Sequence, residues 1–260
     1  MVSRSTRPRA VPWLVGVQVI SLAAAVCLGV VGLQAQASVP ADAEYVTSKI
    51  CGMCHKAQAT AWAPTRHAKT TPPADGTEPW KHVTGYDAAS GTGKEPGVAC
   101  EACHGRGSAH VKASAETRKT VIVNAGTLET PVQQVSICAQ CHARYTPVEG
   151  EPPVAFTPGE DLLAKVTLLP PEPGQTMQQV NELVHSKHFE QGVVCLTCHS
   201  AHPEAETEHQ LRKPVMELCG GCHADKVDLT HTKGQAKAGD TCQTCHMPDG
   251  SHAFVKPTTP

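Results

Sequence analysis

Large rigid side chains are scarce in this 260-residue chain: aromatics make up 3% of it, three each of Phe, Tyr and Trp, while Gly and Pro number 21 apiece. A side-chain core spread over so much irregular backbone would be thin, so something other than side chains is expected to fill the interior. No Lys/Arg cluster stands out after residue 10 and the formal net charge is -2, which leaves nucleic-acid binding without an electrostatic footprint. Methionine is rare as well, limited beyond the initiator to Met53, Met177, Met216 and Met247. Hydrophobic residues at 40% and charged residues at 18% nevertheless fit a folded body rather than a disordered tail.

At the N-terminus, Arg4, Arg7 and Arg9 precede an apolar run from Val11 to Leu33, followed by the small-x-small sequence Ala35-Gln36-Ala37 before Ser38. Residues 1–37 read as a Sec-type signal peptide or as an N-terminal membrane anchor, because a run of about 20 residues is also long enough to cross a bilayer. Either way the chain is expected outside the cytoplasm, periplasmic or extracellular, with residues 11–33 holding it to the membrane if they are kept. Cys27 sits inside the run as one more small apolar residue.

The other 12 of the 13 cysteines all fall into one five-residue word. Its copies are CGMCH (Cys51, Cys54, His55), CEACH (Cys100, Cys103, His104), CAQCH (Cys138, Cys141, His142), CLTCH (Cys195, Cys198, His199), CGGCH (Cys219, Cys222, His223) and CQTCH (Cys242, Cys245, His246). Disulfides or structural zinc could use paired cysteines in an exported protein, but neither needs a histidine directly after the second sulfur. CxxCH is the attachment word of c-type haem: two thiols on one turn form thioethers to one porphyrin edge, and the histidine ligates the iron. Six covalent haems are therefore expected, and the macrocycles themselves would supply the missing core.

Nine histidines remain: His67, His82, His110, His185, His188, His202, His209, His231 and His252. As sixth ligands the candidates are His67, twelve residues after His55, and His110, in CHGRGSAHV where Gly105 and Gly107 permit a tight turn. His202 follows His199 at helical spacing, aimed at a neighbouring iron. In TMQQVNELVHSKHF, Thr176 and Gln179 are spaced as a capping box and the apolar pattern predicts a helix over 176–189, with His188 preferred to His185. His231 and His252 flank the last word and complete the set. His82 and His209 read as solvated loop histidines.

The expected fold is mainly α with extensive loop, haem-cored, its short helices carrying the CxxCH words, with little or no sheet. Three words lie on each side of a Pro-rich stretch, which suggests an N-terminal three-haem lobe at 38–150, a connector at 151–174 and a C-terminal three-haem lobe at 175–260.

Cys51 to His55 followed by Trp62, Thr65, His67 and Ala68, together with GVACEACHGRGSAHV, resembles the multihaem cytochromes related to the tetrahaem cytochrome of ammonia-oxidising bacteria. The later segments HFEQGVVCLTCHSAH and CQTCHMPDGSHAF are similar to the final haem words of larger relatives. The resemblance implies that His110 ligates a haem other than the one held by His104, and that histidines before and after a late word serve neighbouring irons. There are six words here rather than four, and none is the CxxCK variant with which related nitrite reductases keep a haem open.

Imidazole on both faces of each iron leaves single-electron transfer as its chemistry. The expectation is thus an electron carrier, not an enzyme, exchanging electrons with other redox proteins such as a membrane quinol dehydrogenase or a terminal reductase. A reductase or oxidase of small nitrogen or sulfur species with one open haem, or a subunit of an extracellular cytochrome filament, are the alternatives.

Overall fold

In the computed structural model, Cys100–His104 forms a single helical turn closed by Gly105 at φ 81°, a left-handed conformation that costs glycine little. The other words lie on, or run off the end of, helices of 4 to 12 residues. The structure describes residues 37–72, 74, 78–150, 152–204 and 208–257. In chain order the helices are α1 (Thr47–Cys54), α2 (Lys56–Trp62), α3 (Arg66–Lys69), α4 (Cys100–His104), α5 (Ser108–Lys112), α6 (Pro131–His142), α7 (Gln179–Leu183), α8 (Lys187–Glu190), α9 (Cys195–Cys198), α10 (Val215–Gly220) and α11 (Cys242–His246). Besides short 3-10 turns there are two antiparallel ribbons: β1 (Val83–Thr84) with β2 (Glu95–Pro96), and β3 (Tyr145–Pro147) with β4 (Val166–Leu168), where Thr146 pairs with Thr167. The described residues are mostly helix and loop, with only these two small sheets among them.

Local chemistry explains where the helices begin. At α6 Pro131 opens the first turn, the Thr130 hydroxyl accepts from the Gln133 N–H at 3.2 Å, and the Gln133 side chain accepts from the Thr130 N–H at 3.3 Å. In α9 and α11 the threonine before the second cysteine reaches back, Thr197 accepting from the Val194 N–H and Thr244 from the Thr241 N–H, both at 3.1 Å. The fifth word is the exception. Its Gly220-Gly221 pair ends α10 at Gly220, leaving Cys222 and His223 beyond the helix.

Two expected helical stretches are absent. Met177 is left-handed (φ 57°) and Ser186 is extended, its side chain accepting from the Phe189 N–H at 3.2 Å, so 176–189 breaks into α7 and α8. His199 is also extended (φ -103°, ψ 158°), so His199 and His202 do not share a helical turn.

The side-chain core is small. Ala139, Ala143, Leu162, Val166 and Val180 form one cluster, Val123, Leu128 and Ile137 a second, and Val135, Leu183 and Val194 a third. Leu162 and Val166 belong to the stretch expected to be a connector. It packs into the core, and all the described residues belong to one compact unit, Ala35–Pro260. The signal or anchor at 1–37 lies almost wholly outside the described residues. Among the described residues no helix is long and apolar enough to cross a membrane.

Candidate functional site

Every word histidine faces one of the candidate distal histidines. The ring centroids of His55 and His110, His67 and His142, His104 and His202, and His188 and His223 are each 6.0 Å apart. His199 and His252 are 6.1 Å apart, and His231 and His246 6.2 Å. The interplanar angles run from 9° for His104 with His202 to 89° for His67 with His142. Ring-on-ring packing would vary in distance with angle, whereas these separations stay fixed while the angle does not. A metal between two opposed imidazoles, with bonds of about 2 Å on each side, sets such a constant spacing of about 6 Å.

The hydrogen bonds of the outer ring nitrogens fit the same role. Nδ1 of His104 donates to the Val123 carbonyl at 2.6 Å, of His110 to Arg118 at 2.8 Å, of His199 to His209 at 2.8 Å, of His246 to Val255 at 2.9 Å and of His252 to Gly250 at 2.9 Å. A carbonyl can only accept, so each of these bonds puts the proton on Nδ1 and leaves the Nε2 lone pair free for a metal. Burial also holds His67, His104, His142, His188, His199, His202 and His252 below the usual imidazole range, which favours the neutral, ligating form.

The cysteines follow a linear order in space. A hydrogen-bonding contact with the Cys100 thiol pushes the Cys51 thiol up, and burial adds to it. The Cys138 thiol is raised by its bond to Cys195, then by burial, and Cys103 lies close enough to raise both Cys138 and Cys141. Burial and then neighbouring thiols, Cys222 among them, raise Cys198, while burial and Cys242 raise Cys219 to about 11. Each word therefore adjoins the next. The helices agree: α4 packs on α1 and α6, α6 on α9, and α10 on α11. None of the twelve cysteines is in a disulfide, and among the described residues no three His, Cys, Asp or Glu side chains converge as a zinc site would require. A cavity of about 980 Å³ opens beside His202, and Lys56 and Arg66 on its wall suit the carboxylates of a porphyrin.

The remaining histidines are placed differently. His185 is exposed and His82 bonds the Thr70 hydroxyl at 3.0 Å, while His209 lends its carbonyl to His199. Three supporting residues were not visible in the sequence. Glu101, a variable position of its word, is 3% exposed and its carboxylate accepts from the N–H groups of Val46 (3.0 Å), Thr47 (2.8 Å) and Gly107 (2.7 Å), tying the first two words together. Asn181, fully buried, accepts from the Arg144 N–H at 2.9 Å and donates to its carbonyl at 2.7 Å. Phe254 lies against His188, ring centroids 4.1 Å apart.

With this geometry in view, a family model described as cytochrome c554 and c-prime matches residues 50–81, and one described as doubled CXXCH motif matches 186–228. The chain is 26% identical to the dissimilatory sulfite reductase MccA of Wolinella succinogenes over 65% of its own length, and spans about a quarter (26%) of that relative. The fold is similar to that of the outer cell wall cytochrome OcwA, with TM-score 0.60 at 19% identity over 81% of this chain and 79% of that one. An undecahaem cytochrome from the S-layer of Carboxydothermus ferrireducens superposes with TM-score 0.48 at 19% identity, over 84% of this chain and 53% of that one.

The chain is a multihaem c-type cytochrome, carrying covalently attached haem and its iron. The cytochrome c554 match covers the first word and stops at Lys81, and a specific relation to the tetrahaem proteins of ammonia oxidisers is not shown.

Proposed function

We propose that the protein is an exported hexahaem electron carrier in which each iron is held between two histidines. The observation that carries this reading is that all six word histidines have a separate second histidine at 6.0–6.2 Å. The proposed ligand pairs are His55 with His110, His104 with His202, His142 with His67, His199 with His252, His223 with His188, and His246 with His231. Haem iron supplies a reversible one-electron change, and the protein decides what else it can do. By closing both faces with imidazole the chain denies a substrate access to the metal. By setting each cysteine word against the next it orders the attachment edges from first to sixth, a continuous route for electrons between partner redox proteins at the two ends.

Export is part of the proposal, since the N-terminal run reads as a signal or anchor and OcwA is an outer cell wall protein. The likeness to a sulfite reductase favours the second reading, a reductase with one open haem, but it extends over a quarter of that protein. Intact mass of the purified protein, with carbon monoxide added to the reduced form, tests the two. Six haem masses and no carbon monoxide adduct are expected; an adduct in the unmutated protein would favour the reductase.

A further inference from the structure

Two residues other than glycine with left-handed backbone, Glu78 (φ 44°) and Met177 (φ 57°), line the same cavity, of about 280 Å³. Side-chain-bearing residues adopt this conformation only at a cost, and such residues cluster where a site is being shaped. Lys81, Arg144, Tyr145 and Gln175 also line this space.

Lys81 is unusual among the lysines because it is only 6% exposed. Its ammonium pairs with Glu78 at 2.8 Å, which uses one of its three donors. Arg144 is 22% exposed, its guanidinium 3.5 Å from Glu172 and 3.5 Å from the side-chain oxygen of Gln178, and so is only loosely engaged. Its backbone is held independently by Asn181. Tyr145 is pushed up to about 12 by burial first, then by Cys141 and Glu78, so its hydroxyl remains a donor at neutral pH. Two cations and a phenol thus line this space together with the Glu78 carboxylate, while Glu172, 3.5 Å from Arg144, lies outside the lining.

We propose that this cavity binds one small inorganic oxyanion, of the sulfate, sulfite or phosphate type. Drug-sized ligands occupy about 300–1,000 Å³, so this space suits a compact ion with a few waters at about 30 Å³ each. Oxyanions match the donors: a desolvated ammonium and a planar guanidinium both form short charge-assisted bonds to them. The position gives the ion a consequence. The Lys81 carbonyl lies 3.8 Å from Cys141 Sγ, so an anion bound here sits beside the attachment edge of the haem on Cys138 and Cys141. Negative charge there favours the ferric state and lowers that haem's potential. This effect on potential rests on the electron-carrier reading; the binding does not.

The test uses the full haem-loaded protein and inorganic sulfate as probe, with chloride at matched ionic strength as control. Equilibrium dialysis should find one sulfate per chain, with affinity weakened about tenfold or more by Arg144→Gln and less by Tyr145→Phe. Because Asn181 holds the Arg144 backbone, the arginine substitution should spare the fold. In a spectroelectrochemical titration, sulfate should lower the potential of one haem in the unmutated protein and of none in Arg144→Gln. No bound sulfate, equal binding by Arg144→Gln, or a chloride effect of the same size would overturn the site. A haem count other than six would instead overturn the carrier reading and leave the sulfate stoichiometry as it stands.

Discussion

His104 and His202 face each other with ring centroids 6.0 Å apart and planes 9° from parallel, although one lies before the Pro-rich segment and the other after it. The two halves of the chain thus close on one proposed haem. His202→Ala should open that iron, giving about one sixth of the haem a high-spin signature and a carbon monoxide adduct when reduced. His67→Ala and His188→Ala should each do the same at another haem. His82→Ala and His185→Ala should do neither, since His82 bonds Thr70 and His185 is exposed. An unchanged spin state in His202→Ala would remove His202 from the ligand set.

How much of this was legible in the sequence depends on the range of each contact. The words could be read because their chemistry is local, two sulfurs and a histidine on one turn. Candidate distal histidines could be named for similar reasons, but not which word each would face: His252 meets His199 and His110 meets His55 through long loops with no period to read. The helix expected over 176–189 failed because Ser186 caps a new helix, and that competing local bond outweighs the apolar periodicity of Val180 and Val184. The Pro-rich stretch looked like a connector because its composition hides Leu162, which is 1% exposed at the centre of a cluster. Glu101 was missed because a CxxCH word leaves that position open.

Glu101→Ala should destabilise the protein by about 3 kcal/mol or more, because it leaves three backbone N–H groups without their acceptor at a buried site. Thermal unfolding of the haem-loaded protein measures this. The loss should be accompanied by weaker protection of the Val46 and Thr47 amides in hydrogen exchange. Unaltered exchange at both amides would mean that the carboxylate is not what fixes the start of α1.

Gly97 offers a way to move a proposed ligand without replacing it. It has φ 78°, and a Cβ there would lie 2.6 Å from the Ala68 carbonyl oxygen and 3.1 Å from that of His67. Its neighbour Val98 donates its N–H to the same His67 carbonyl at 2.8 Å. Gly97→Ala should therefore cost about 1–3 kcal/mol and push α3 outward, so that His67 loses its place opposite His142. A partial high-spin signal at one haem is the expected readout. Lower stability with fully low-spin haem would show that α3 moves without carrying His67 away.

The ring planes give a spectroscopic prediction that needs no mutation. Four of the histidine pairs are within 29° of parallel, while His67 with His142 is crossed at 89° and His188 with His223 at 72°. An imidazole donates π density from the orbital normal to its ring, so two parallel rings raise one iron d orbital above its partner. Two crossed rings raise both alike and leave them nearly degenerate, which increases the anisotropy of the ferric g-tensor. Low-temperature electron paramagnetic resonance of the oxidised protein should therefore resolve two populations, the strongly anisotropic one holding about a third of the spins. His188→Ala should remove half of that signal and leave the remainder with the haem between His67 and His142. A single uniform rhombic signal from all the iron would rule out the crossed ring planes of His67 with His142 and of His188 with His223.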